Sequence, residues 1–332
     1  MSYLQAEAAF RDWAAECGFP NLPDVLTDGR IHRFHVDGDK RGSRNGYCRF
    51  QAFADGGAAG TVGSWKTGEQ HQWHRHGGRV RRPSTLEAMR RDDERAERQR
   101  QQAAEHVEAL MRMQTEWHRA PSASDSHPYC KRKSISARPY NSPALRLGNH
   151  GELLVPAFGF DDDWQGAPRS LQRIFPDGSK RNATGCPLTG LVYPFGRRSD
   201  EYTEPLVLAE GWATAATVYQ ALGFDAAQPW PVLCCFGAGN LLGVAREAHA
   251  RWPECPILIA ADDDEAGSKA ALEAAREVGG WIATPHFPDE CERTAKDTDF
   301  NDLARLSPDG VEAVLRCIED AREVFDFQES AA

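Results

Sequence analysis

Apolar runs of strand length alternate with amphipathic stretches of helical period through the last third of the chain. Residues 206–209, 232–236, 257–261 and 281–284 are nearly continuous apolar runs, the pattern of strands buried on both faces. Between them, 213–222, 241–251 and 268–278 carry apolar positions at helical spacing. Strand and helix in strict alternation predict a parallel sheet covered by helices.

The pattern upstream of Glu204 is different. Residues 6–17 predict an amphipathic helix, followed by short Gly-rich strands at 30–34, 47–53 and 61–65. The turns between them, Asp37-Gly38, Asn45-Gly46 and Asp55-Gly56-Gly57, have hairpin chemistry, so residues 1–80 are expected to form a small, mostly antiparallel module. Residues 83–118 are highly charged, with sparse apolar positions at Leu86, Met89, Val107, Leu110 and Trp117, and predict a long solvated connector helix. Strand runs at 153–158 and 170–175 mark a further region, 120–200, and 326–332 forms an acidic tail to the domain at 201–325.

Length and composition then narrow the class. A chain of 332 residues with 41% hydrophobic content can bury two or three cores. No apolar run approaches the ~20 residues that span a bilayer, and Glu7 and Asp12 interrupt any secretory leader. Nine cysteines without a C-x-x-C pair are expected to be reduced side chains of a cytosolic protein. Charge is unevenly divided: residues 1–200 sum to +6 and residues 201–332 to −16. Such asymmetry suits a protein that meets a polyanion with its front and gathers divalent cations at its back, although solubility alone also explains an acidic half.

The chemistry concentrates at strand ends. Asp262-Asp263-Asp264 ends the run 257–261, and Glu210 ends the run 206–209 in the same relation. Parallel strands deliver their carboxyl ends to one edge, where open α/β sheets bind ligands. Glu210, Asp262 and Asp264 are therefore expected to converge there as Mg²⁺ (or Mn²⁺) ligands, with Asp263 pointing away. The bland alternative is an acidic loop that caps the next helix, a task for which one carboxylate suffices. Asp299, Asn301 and Asp302 form an additional acidic cluster that could add a ligand to the same edge.

Leu208-Ala209-Glu210-Gly211, Ala261-Asp262-Asp263-Asp264-Glu265-Ala266-Gly267 and Asp299-Phe300-Asn301-Asp302 resemble, in order and spacing, the signature of the TOPRIM domain. Upstream, His127-Pro128-Tyr129-Cys130-Lys131-Arg132-Lys133, Gly151-Glu152-Leu153-Leu154-Val155-Pro156 and Ser170-Leu171-Gln172-Arg173-Ile174 with Asp177-Gly178-Ser179-Lys180-Arg181 are similar to the basic subdomain preceding TOPRIM in primases of phages, plasmids and other mobile elements. Phe236-Gly237-Ala238-Gly239-Asn240-Leu241 is also similar to theirs. The resemblance implies an α/β chain with a C-terminal TOPRIM domain, preceded by a mixed α+β basic primase subdomain and the Gly-rich, mostly β module.

It further implies a DNA primase that synthesises short primers on single-stranded DNA from NTPs, in the cytoplasm of a bacterial or phage-infected cell. Glu210, Asp262 and Asp264 would be catalytic, with Glu210 binding a second metal or accepting the hydroxyl proton. Lys131, Lys133, Arg173, Lys180, Arg181 and Lys269 are candidates for NTP or template binding, each weighed against plain solvated surface. No zinc-ribbon spacing is present, and His71, His74 and His76 lack an evident fourth ligand, so zinc is not expected. Arg33-Phe34, Trp65-Lys66 and Trp73 could stack on single-stranded bases or pack a core. The sequence holds no G-x-x-x-x-G-K-[ST], so a separate replicative helicase is the expected partner. A TOPRIM nuclease and a non-catalytic nucleic-acid-binding adaptor are the competing readings. No tyrosine context marks a topoisomerase nucleophile.

Overall fold

The computed structural model describes residues 3–24, 26, 29–40, 42–53, 56–75, 85–196, 199, 202, 204–223 and 230–331, with residues 85–95 and 322–331 described only as helix. His76, Asp55 and the side chains of Leu86 and Met89 thus lie outside the described set, as does the side-chain detail of the acidic tail. The chain divides into two compact units, Met1–Glu97 and Arg98–Ala332.

In the first unit, helix α1 (Tyr3–Glu16) packs on an antiparallel sheet of β1 (His32–Phe34), β2 (Gly46–Ala52), β3 (Ala58–Ser64) and β4 (Gln70–Arg75), in that order. Strand period sets the faces: Cys48, Phe50 and Val62 turn inward under Phe10 and Ala14, whereas Tyr47 and Arg49 turn outward. The stretch around His71 is the edge strand β4, paired antiparallel to β3. Only Trp73 on it is a large apolar residue, packed near Phe10 and Phe50, so the alternation is too thin to read from sequence.

The second unit opens within α2 (Thr85–Arg119), at Arg98. Its C-terminal turns are not the solvated connector expected. Ala109, Met113 and Trp117, four residues apart, form one buried stripe against Leu154, Leu171, Ala183 and Cys186. After α3 (Pro128–Lys133) comes an antiparallel sheet, β5 (Arg146–Leu147), β6 (Leu153–Ala157), β7 (Ser170–Ile174) and β8 (Lys180–Asn182).

Next come β9 (Tyr193–Phe195), β10 (Leu206–Ala209), α4 (Trp212–Ala221), β11 (Val232–Cys234), α5 (Ala238–Arg251), β12 (Ile257–Ala260), α6 (Glu265–Val278), β13 (Trp281–Ala283), α7 (Phe300–Leu306) and α8 (Val311–Ala331). The sheet order is β13-β12-β10-β11-β9, parallel throughout except for β9 at one edge. Alternate residues of each strand enter two cores. Val207, Ala209, Leu258 and Ala260 meet α4, α7 and α8, while Leu206, Leu208, Ile257 and Ile259 meet α5 and α6.

The boundary expected at residue 200 is not a break in packing. Tyr129, Leu145, Leu153 and Ile174 share one core with Trp212, Val218 and Phe300. Nor is β9 separate, since it completes the parallel sheet from the upstream side. No described helix is long and apolar enough to cross a membrane.

Candidate functional site

β10 and β12 are adjacent and parallel, with Ala209 paired to Ala260, so Glu210 and Asp262 leave the sheet at the same edge. There they line a cavity of about 360 Å³ with Asp299, Lys133, Lys180 and Tyr129. Glu210, Asp262 and Asp299 come from three segments of the Toprim region far apart in sequence, while the upstream region supplies both lysines and a fourth carboxylate, Asp177.

The carboxylates are under strain from one another. Burial, followed by the charges of Glu210, Asp299 and Asp264, pushes the Asp262 carboxyl up to about 8, opposed by Lys180. Burial and then Asp264 raise Glu210, partly offset by the Ala238 backbone N–H at the start of α5. That N–H is brought to Glu210 by a tight turn in which Phe236 adopts φ 62° and Gly237 φ 146°. Asp299 is raised by burial and held down by Lys133.

Asp262 Oδ1 is buried and has no hydrogen-bond partner. Such an orphaned carboxylate oxygen is costly unless something cationic completes it. Among the described residues, no three His, Cys, Asp or Glu side chains are arranged ready-made around a common ion position. The orphaned Asp262 oxygen beside Glu210 fits a cation held by one or two carboxylates, with water and phosphate oxygens filling the remaining positions, as is usual for Mg²⁺.

Asp264, expected as a further ligand, is exposed, does not line the cavity and caps α6, its Oδ1 accepting the Gly267 N–H at 2.7 Å. Asp263 turns away and pairs with Arg293 at 2.5 Å. The downstream acidic cluster divides. Asp299 faces the cavity, whereas Asp302 is buried and holds Lys133 Nζ at 3.0 Å. The Asn301 amide donates to Lys133 O at 2.7 Å and to Thr217 Oγ1 at 2.8 Å. Asn301 and Asp302 thus position Lys133 from behind the site.

The other basic candidates are elsewhere. Arg173 is bound bidentately by Glu116, at 2.6 Å to each oxygen, and reaches Glu152 at 3.1 Å. The Arg181 guanidinium lies 5.3 Å from the Phe175 ring centroid. Lys131 is exposed on α3 and does not line the cavity, and Lys269 sits by a separate surface depression with Leu272, Glu273, Arg276 and Glu277. Arg132 and Asp177 line the cavity and were not singled out from sequence. In the run Lys131-Arg132-Lys133, helical phase alone decides which side chain faces inward. His71 and His74 alternate to opposite faces of β4, which keeps them from sharing one ion.

Residues 205–309 match the Toprim domain family. Two DNA primases named TraC from Escherichia coli are each 30% identical to the chain, over 88% and 81% of its length. The chain spans only 20% and 25% of those relatives. Among solved structures, the primase fragment of the bacteriophage T7 primase-helicase protein aligns with 59% of this chain and 73% of its own, at 16% identity and a TM-score of 0.40. Residues 205–309 thus match the Toprim domain, within a chain that is similar over most of its length to two TraC DNA primases.

Proposed function

We propose that the chain is a DNA primase module that joins NTPs into short primers on a single-stranded DNA template, using Mg²⁺ or Mn²⁺ at the Glu210–Asp262 edge. The observation that carries this reading is the meeting of Glu210, Asp262 and Asp299 with Lys133 and Lys180 in one cavity, beside a buried carboxylate oxygen that has no partner.

Asp262 and Glu210 would hold the cation, with Asp264 lending charge from the rim. A bound divalent ion would neutralise charge developing on the transferring phosphoryl group and on the pyrophosphate leaving group. Lys180 and Lys133 line the same cavity, where they can seat triphosphate or template phosphate. In the alternative role, free of the cation, Glu210 would accept the proton of the attacking 3′-hydroxyl. The template strand, NTPs and a separate helicase are the partners this reading calls for.

The test is incorporation of labelled NTPs on short single strands of varied sequence, with and without Mg²⁺, for wild type, Glu210→Gln and Asp264→Asn. Template-dependent oligomers from wild type and none from Glu210→Gln are expected. Shortening of a labelled strand in their place would identify a nuclease, and activity unchanged in both variants would remove the site from the chemistry.

A further inference from the structure

The open face of the N-terminal sheet carries a built arrangement that the cavity does not involve. The four strands β1 to β4 contain no Asp or Glu. On the side away from α1, register places Arg33, Tyr47, Gly63 and Gln70 in one cross-strand row, and Arg49, Thr61 and Gln72 in the next. Trp65, just past the end of β3, folds back over the first row. It stacks on Tyr47 with ring centroids 4.5 Å apart at 27°, and the Arg33 guanidinium lies 4.7 Å from its ring.

Gly63 makes that stack possible. A Cβ there would stand 2.8 Å from Tyr47 Oη and 2.3 Å from Glu69 O, so any side chain would push Tyr47 off the sheet. Both arginines are anchored through Nε, Arg33 to Arg44 O at 3.0 Å and Arg49 to Gly29 O at 2.8 Å, and neither is ion-paired to a carboxylate among the described residues. Asp39, in the loop after β1, is taken by Lys66 at 2.7 Å. Trp65 nevertheless keeps 51% of its surface open, an unusual exposure for so large an apolar side chain. Phe34, Phe50 and Trp73, the aromatics of the strands other than Tyr47, pack into the core instead.

We propose that this face binds single-stranded DNA, with a base stacked on Trp65 and phosphates seated against Arg33 and Arg49. A flat aromatic on an acid-free sheet, flanked by immobilised guanidinium groups and by amide side chains, combines the two elements that sequence-tolerant single-strand binding requires. The complementarity is with a polyanion that exposes its bases, which a duplex does not. This site rests on the first unit alone and stands whether or not the cavity polymerises nucleotides.

The experiment is fluorescence anisotropy of a short labelled oligothymidylate, and of a labelled duplex, titrated with the full chain. Trp65→Ala is expected to weaken single-strand binding by at least about 5-fold, with Trp65→Phe retaining most of it and duplex binding unchanged. Arg33→Gln/Arg49→Gln is expected to lower the slope of log affinity against log salt by about 1.4. Both arginines are exposed, so this double variant tests the face even if Trp65→Ala disturbs folding, which circular dichroism would show. Single-strand affinities within twofold of wild type for the folded variants, or equal losses on duplex, overturn the proposal.

Discussion

Asp264 Oδ1 accepts the Gly267 backbone N–H at 2.7 Å, so this carboxylate serves helix α6 and the acidic edge at once. Asp262, two residues earlier, has an oxygen with no partner at all. The two aspartates of one motif therefore answer differently to substitution.

Asparagine caps helices about as well as aspartate, whereas alanine does not. Asp264→Ala is expected to lose about 1 kcal/mol of stability, and Asp264→Asn only a few tenths, while both weaken Mn²⁺ binding. Urea denaturation and calorimetric titration with Mn²⁺ separate the two effects.

Gly267 lies against the motif it follows. A Cβ there would meet Asp262 O at 2.9 Å and Asp262 Cβ at 3.1 Å. Gly267→Ala is expected to cost about 1–3 kcal/mol and to displace the carboxylates, lowering primer synthesis at least about tenfold. Retained activity with unchanged stability would show that α6 can retreat without cost.

Asp262 and Glu210 both have carboxyls raised on folding, which means that the metal-free folded state holds protons that the unfolded chain releases. This contribution to stability is present below the ordinary carboxylate range and is lost as pH rises toward 8. With a chelator present, the protein is expected to be more stable near pH 6 than near pH 8.5. Asp262→Asn should flatten that slope, and Mg²⁺ should reverse it by favouring the charged form. Denaturation midpoints across the window decide the matter.

Arg173 is the partner of Glu116 and of Glu152, a glutamate only 1% exposed. Arg173→Ala leaves the buried Glu152 charge with the His150 N–H but without its arginine partner and is expected to cost about 3 kcal/mol. An increase in the KM for NTP with undiminished stability would place Arg173 in substrate binding instead.

Much of the second unit could be read from residues because strands buried on both faces are apolar without interruption. The runs ending at Ala209 and Ala260 mark both themselves and the edge at which Glu210 and Asp262 emerge. What escaped the sequence was information held in phase and partnership. Lys133 differs from Lys131 only by its position around a six-residue helix. Arg173 looks like a phosphate ligand until Glu116, 57 residues away, is found beside it. Ala109, Met113 and Trp117 hide among charges because one of the three is only an alanine, and β4 hides because a half-exposed edge strand needs little apolar alternation. Asn240 carries no sign of its partners in the sequence. Its amide bonds Leu188 O, Leu191 O and Cys235 O and accepts from Gly190, tying the entry of α5 to the loop before β9.

The shared core across residue 200 bears on how this architecture can be divided or inherited. The lysines that moderate the acidic edge are carried by a stretch whose tyrosine, leucines and isoleucine are buried with the aromatic residues of the downstream helices. A fragment beginning at β10 would lose an edge strand, part of its hydrophobic lining and the countercharge together. Any graft of the acidic motif onto another scaffold must therefore bring along its cationic wall, because the two halves of this electrostatic balance fold as one piece.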